Sequence, residues 1–65
     1  MVSTGNTKLD SLIQEETDNS LTFDEEFDLR MFAYILNNRK DLEKKGYKII
    51  CHEGAFGYGY LILKW

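Results

Sequence analysis

The sequence has no proline, one cysteine, one histidine and no long hydrophobic run. Each absence removes a class of function. A lone Cys51 cannot form an internal disulfide, and with a lone His52 it cannot supply the paired ligands of a zinc site. The same scarcity leaves no complete set of nucleophile, base and orienting group, so the chain reads as non-enzymatic, with no catalytic residues, no metal and no cofactor. No apolar stretch approaches the roughly 18 residues that a membrane helix needs, and residues 1–6 lack the charged-then-apolar layout of a signal peptide. A cytoplasmic protein with no membrane partner is the expectation. The 65 residues, 43% hydrophobic and 29% charged, fit one small folded domain rather than a disordered tail.

What is present is divided by charge. Residues 1–30 carry eight carboxylates against Lys8 and Arg30, whereas residues 31–65 carry six cations against three carboxylates. The formal net charge of −3 therefore averages an acidic half and a basic half. Glu15, Glu16, Asp18, Asp24, Glu25, Glu26 and Asp28 place seven carboxylates within fourteen positions. Such a group could occupy a basic groove of another protein as phosphates would, and it resembles in composition the small acidic inhibitors by which phages mimic nucleic acid. Equally, the acids could favour a helix start and keep a small domain soluble.

Local patterns predict an α+β domain in the order helix, long helix, antiparallel hairpin (ααββ). Residues 1–20 form an arm or short helix, beginning near Thr7, with Leu9, Leu12 and Ile13 on one face. Residues 21–65 form the core. Thr22 followed by Glu25 has the spacing of a capping box, and Asp24, Glu25 and Glu26 place negative charge at the positive end of a helix dipole. The expected helix covers 23–45, with Phe27, Met31, Tyr34, Ile35 and Leu42 along its apolar face and Gly46 in the left-handed position that ends it. Asn37-Asn38 is the one place where it could break. Beyond Gly46, residues 47–52 and 58–64 read as strands joined by a loop at 53–57. A two-stranded sheet is barely stable alone, so the hairpin is expected to lie on the long helix, and its edges make a homodimer an open option.

Period-2 alternation puts Cys51 with Tyr47 and Ile49, and His52 with Lys48 and Ile50, so the two reactive side chains fall on opposite faces. Phe56-Gly57-Tyr58-Gly59-Tyr60-Leu61-Ile62-Leu63 resembles the aromatic ribonucleoprotein motif of RNA-recognition and cold-shock domains, with Phe56 and Leu63 departing from the pattern. That resemblance implies Tyr58 and Tyr60 as a platform for stacked bases. The plain alternative is that both tyrosines pack across the hairpin. Leu42-Glu43-Lys44-Lys45-Gly46-Tyr47-Lys48-Ile49 followed by Gly57-Tyr58-Gly59-Tyr60-Leu61 resembles the end of a winged-helix DNA-binding domain, where a recognition helix leads into a hairpin wing. It implies that Arg39, Lys40, Lys44, Lys45 and Lys48 face phosphates, and it requires three helices, hence a break at Asn37-Asn38.

The acidic sequence pI of about 4.9 weighs against nucleic acid as the main partner. From sequence alone the leading expectation is a protein-binding regulator or inhibitor acting through its acidic residues. DNA binding through 39–48 and the wing, and RNA binding through Tyr58 and Tyr60, are the alternatives.

Overall fold

The computed structural model describes residues 2–52, 54 and 59–65. Its elements are α1 (Thr7–Glu15), β1 (Ser20–Asp24), α2 (Leu29–Asn37), α3 (Arg39–Lys44), β2 (Lys48–His52) and β3 (Tyr60–Lys64). The three strands form one antiparallel sheet in the order β1-β3-β2. The α+β class and the β2–β3 pairing agree with expectation. The ααββ order does not, because residues 20–24 add a third strand where a helix start was expected.

The reason lies in Leu21-Thr22-Phe23. Pairing opposite β3 (Leu21 with Leu63, Phe23 with Leu61) turns Leu21 and Phe23 inward and leaves Thr22 exposed. Burying Phe23 in the core outweighs the approximately 1 kcal/mol a Thr22 cap would contribute. The acidic residues that follow then build a turn. The Asp24 side chain accepts from the Glu26 N–H (2.7 Å), and the Asp24 carbonyl accepts from the Asp28 N–H (2.8 Å). Glu25 is engaged with Gly59: its N–H donates to the Gly59 carbonyl at 2.8 Å, and its Oε2 accepts from the Gly59 N–H at 3.2 Å. The helix starts only after Asp28, whose side chain makes no capping bond. Phe27, expected on the buried helix face, is instead 81% exposed.

The expected long helix is also divided at Asn38. Phe32, Ile35 and Leu42 form one buried stripe that continues across the division, which is why the apolar spacing reads as a single helix. Asn38 interrupts it locally. Its backbone N–H (3.0 Å) and its side-chain Nδ2 (2.8 Å) both donate to the Tyr34 carbonyl, with φ −113° and ψ 18°. Such side-chain bonding back to the preceding turn competes with the helix ladder.

The end of α3 follows the sequence reading. Gly46 has φ +102°, its N–H donates to the Glu43 carbonyl, and the Tyr47 N–H donates to the Leu42 carbonyl. Those two bonds, with Leu42 and Tyr47 both buried, constitute a Schellman motif.

The helices cover one face of the sheet. Leu9 and Ile13 of α1 join Phe23, Phe32, Ile35, Leu42, Tyr47, Ile49, Leu61 and Leu63 in a single core. Asn6 caps α1 by accepting from the Leu9 N–H at 3.0 Å. Residues before it are tied down: the Tyr34 hydroxyl donates to the Thr4 carbonyl at 3.0 Å and the Tyr47 hydroxyl to the Val2 carbonyl. None of the helices described is long and apolar enough to cross a membrane.

Because Thr22 is a solvent-facing strand residue, Thr22→Val should leave the unfolding free energy measured in urea unchanged within about 0.5 kcal/mol, or raise it. Loss of about 1 kcal/mol would instead indicate a helix cap at Thr22.

Candidate functional site

Those residues singled out from the sequence that the structure describes do not share one surface. The seven carboxylates do not form one group. Glu15 ends α1, and Glu16 and Asp18 lie between it and β1, whereas Asp24, Glu25, Glu26 and Asp28 lie at and beyond the far end of β1. A five-residue strand separates them by roughly 13 Å. Asp24 and Glu25 are further occupied by the turn and by Gly59.

On α3 the cations are partly matched by the helix's own acids. Arg39 Nε donates to Glu43 Oε1 at 2.9 Å, and Arg39 Nη2 donates to the Ile49 carbonyl at 3.3 Å. Lys45 Nζ lies 2.9 Å from Asp41 Oδ2, and this bond holds the Lys45 ammonium above its ordinary pKa. Asp41 precedes Lys45 by one turn, the order that also suits the helix dipole, whereas Arg39 and Glu43 stand in the reverse order. Lys40 and Lys44 are exposed one turn apart, on the side of α3 away from buried Leu42, and among the described residues neither makes an ion pair. They are the cations of α3 most open to a phosphate.

Lys48 belongs to a different surface. The outer face of the sheet presents three cross-strand rows: Ser20, Lys64 and Lys48; Thr22, Ile62 and Ile50; Asp24, Tyr60 and His52. Tyr60 is 41% exposed and stacks on His52 with ring centroids 4.9 Å apart and planes 23° apart. Lys48 and Lys64 stand opposite each other at the other end, beside a recess shared with Asp18 and Trp65. Tyr58, the second aromatic of the suggested platform, and Phe56 of the same motif lie outside the described residues. Cys51 is half-buried on the inner face and His52 exposed on the outer one, so they do not converge. Among the described residues no three of His, Cys, Asp and Glu are grouped as metal ligands.

One polar cluster escaped the sequence reading. Asp10 accepts from the Ser3 hydroxyl (2.6 Å), the Thr4 N–H (2.8 Å) and the Thr4 hydroxyl (2.7 Å). The Ser3 bond first, and then the two from Thr4, hold its carboxyl below the ordinary value, with a smaller contribution from the charge of Lys45. The cluster anchors the segment before α1 and keeps Thr4 fully buried without an unmatched hydroxyl. Its role is structural, and the signal in the sequence is a Ser-Thr pair one helical turn upstream of a cap with an acid in the first turn.

A depressed folded-state pKa adds stability that is complete above the unfolded carboxylate range and is lost as the pH falls through the folded value. Asp10→Asn should therefore lower the urea midpoint by a constant amount between about pH 5 and 7, and the difference from wild type should shrink below about pH 4. A difference independent of pH would show that the charge of Asp10 is not what holds the segment. No protein-family model, no curated protein and no solved structure matches this chain.

Proposed function

We propose that this chain is a small non-enzymatic regulator that binds duplex DNA in the winged-helix manner, with α3 as its recognition helix and β2 and β3 as its wing. The order of elements is the observation that carries the reading: three helices, the third running through a tight glycine turn directly into an antiparallel strand pair. The resemblance read from residues 42–61 asks for that order and for a break at Asn37-Asn38. The division of α2 from α3 at Asn38 supports it.

The chemistry of α3 supplies the contact. Lys40 and Lys44 project from one side of the helix, and Arg39 stands beside Lys40 with its guanidinium shared between Glu43 and the Ile49 carbonyl. Phosphate neutralisation by these few side chains gives weak, salt-sensitive binding, which suits a protein whose total charge is negative. The alternative of a protein-binding regulator draws no geometric support from the acidic residues, which are divided between the two ends of β1.

Fluorescence anisotropy with a labelled 20-base-pair duplex tests the proposal. Binding is expected with a Kd of about 10⁻⁴ to 10⁻⁶ M at 50 mM salt, weakening about 40-fold by 200 mM if three phosphates are contacted. Lys40→Glu with Lys44→Glu should weaken it by at least about tenfold, since two contacts are replaced by repulsion. No binding at 50 mM salt, or equal binding by the double variant, overturns the proposal. Tighter binding to a single-stranded 20-mer, lost in Tyr60→Ala, would transfer the function to the outer sheet face.

A further inference from the structure

Among the described residues, the two most exposed large hydrophobic side chains lie close together in the chain. Phe27 is 81% exposed and Leu29 is 57% exposed, on either side of Asp28. Nothing in the fold demands them there, because a turn built by Asp24 backbone and side-chain bonds accepts polar residues at those positions. Both line a cleft of about 580 Å³ with Leu12, Phe23 and Met31, so α1, β1 and the start of α2 each contribute to its apolar lining. Leu12 and Met31 are half-buried, and Phe23 is a core residue that the cleft reaches.

The charge at this cleft is opposite to that of its surroundings. Residues 1–30 contain eight carboxylates and two cations, and both cations, Lys8 and Arg30, line the cleft. Of the eight carboxylates only Asp28 does so. Lys8 and Arg30 are exposed, and among the described residues neither forms an ion pair. An apolar lining flanked by two unmatched cations fits an amphipathic segment whose apolar side enters the cleft and whose polar side is acidic.

We infer that this cleft docks an acidic amphipathic helix of another protein, with Phe27 and Leu29 as its apolar contacts and Lys8 and Arg30 reading the partner's carboxylates. The site is separate from α3 and does not depend on DNA binding. It also differs from the contact expected from sequence, since the surface offered to the partner is apolar and basic rather than acidic.

The test uses the ¹⁵N-labelled full chain and two synthetic peptides of about twelve residues, with leucines at i, i+3, i+4 and i+7 and either glutamates or lysines elsewhere. The glutamate peptide should shift the amides of Lys8, Leu12, Phe27, Leu29 and Met31, and the lysine peptide should bind at least about tenfold more weakly. Phe27→Ser, at an exposed position that the core does not need, should weaken binding about tenfold. Lys8→Glu with Arg30→Glu should reverse the preference toward the lysine peptide. Equal response to both peptides, no shift at these amides, or shifts confined to the outer sheet face overturn the inference. Concentration-dependent shifts of the same amides without peptide would overturn it in favour of a second copy of the chain.

Discussion

A hairpin of two five-residue strands is marginal in water, and here β2 and β3 become part of a stable sheet because β1, from the other half of the sequence, pairs along the free side of β3. β3 is the central strand. Leu61 and Leu63 are completely buried, between Phe23 and Leu21 on one side and Cys51 and Ile49 on the other. The β1–β3 ladder extends past both ends of the strands, through the Glu25–Gly59 and Trp65–Asn19 backbone bonds. The two halves of the chain are thereby joined. Closing so long a loop is entropically costly, and the burial of Phe23 and Leu61 against each other offsets that cost.

The same pairing decides which parts of the fold could be read from sequence. Features set by near neighbours were legible: the apolar face of α1, the Schellman end at Gly46, the alternation in β2 that separates Cys51 from His52, and the β2–β3 pairing. The identity of β1 was not. Leu21-Thr22-Phe23 offers only three alternating positions, and Thr22 to Glu25 has equally good capping-box spacing, so local chemistry supports helix start and strand alike. The decision belongs to β3, far away in the sequence, and tertiary pairing overrides the local preference. Asn38 is the reverse case. Its residue type announced a break, but the buried stripe of Phe32, Ile35 and Leu42 stays in phase through it, and spacing alone could not separate two helices from one.

Candidate surfaces were legible to the extent that sequence neighbours remain spatial neighbours. The cations of α3 satisfy that condition and stay together, although Asp41 and Glu43 claim two of them. The acidic residues fail it, because β1 runs between Asp18 and Asp24 and carries the two groups to opposite ends of the sheet. The apolar cleft was hidden for a related reason: its lining comes from three elements, and Phe27 looked like one more member of a helix face. Its sequence signal was the pair of cations in an otherwise acidic half, which mean little until the fold brings Lys8 and Arg30 to the same opening.

The placement of the two proposed surfaces follows from α2. Leu29, Arg30 and Met31 form one wall of the cleft at its beginning, and Asn37-Asn38 deliver the chain into α3 at its end. Nine helical residues span roughly 13 Å, so an occupant of the cleft and a duplex on α3 would meet different ends of one short rod. Phe32 and Ile35 fix that rod to the sheet between the two ends. Its position therefore depends on the β1–β3 pairing that supplies Phe23, Leu61 and Leu63 beneath it. Loss of that pairing would remove both surfaces together, whereas a change at Phe27 or at Lys44, both outside the core, acts on one of them alone.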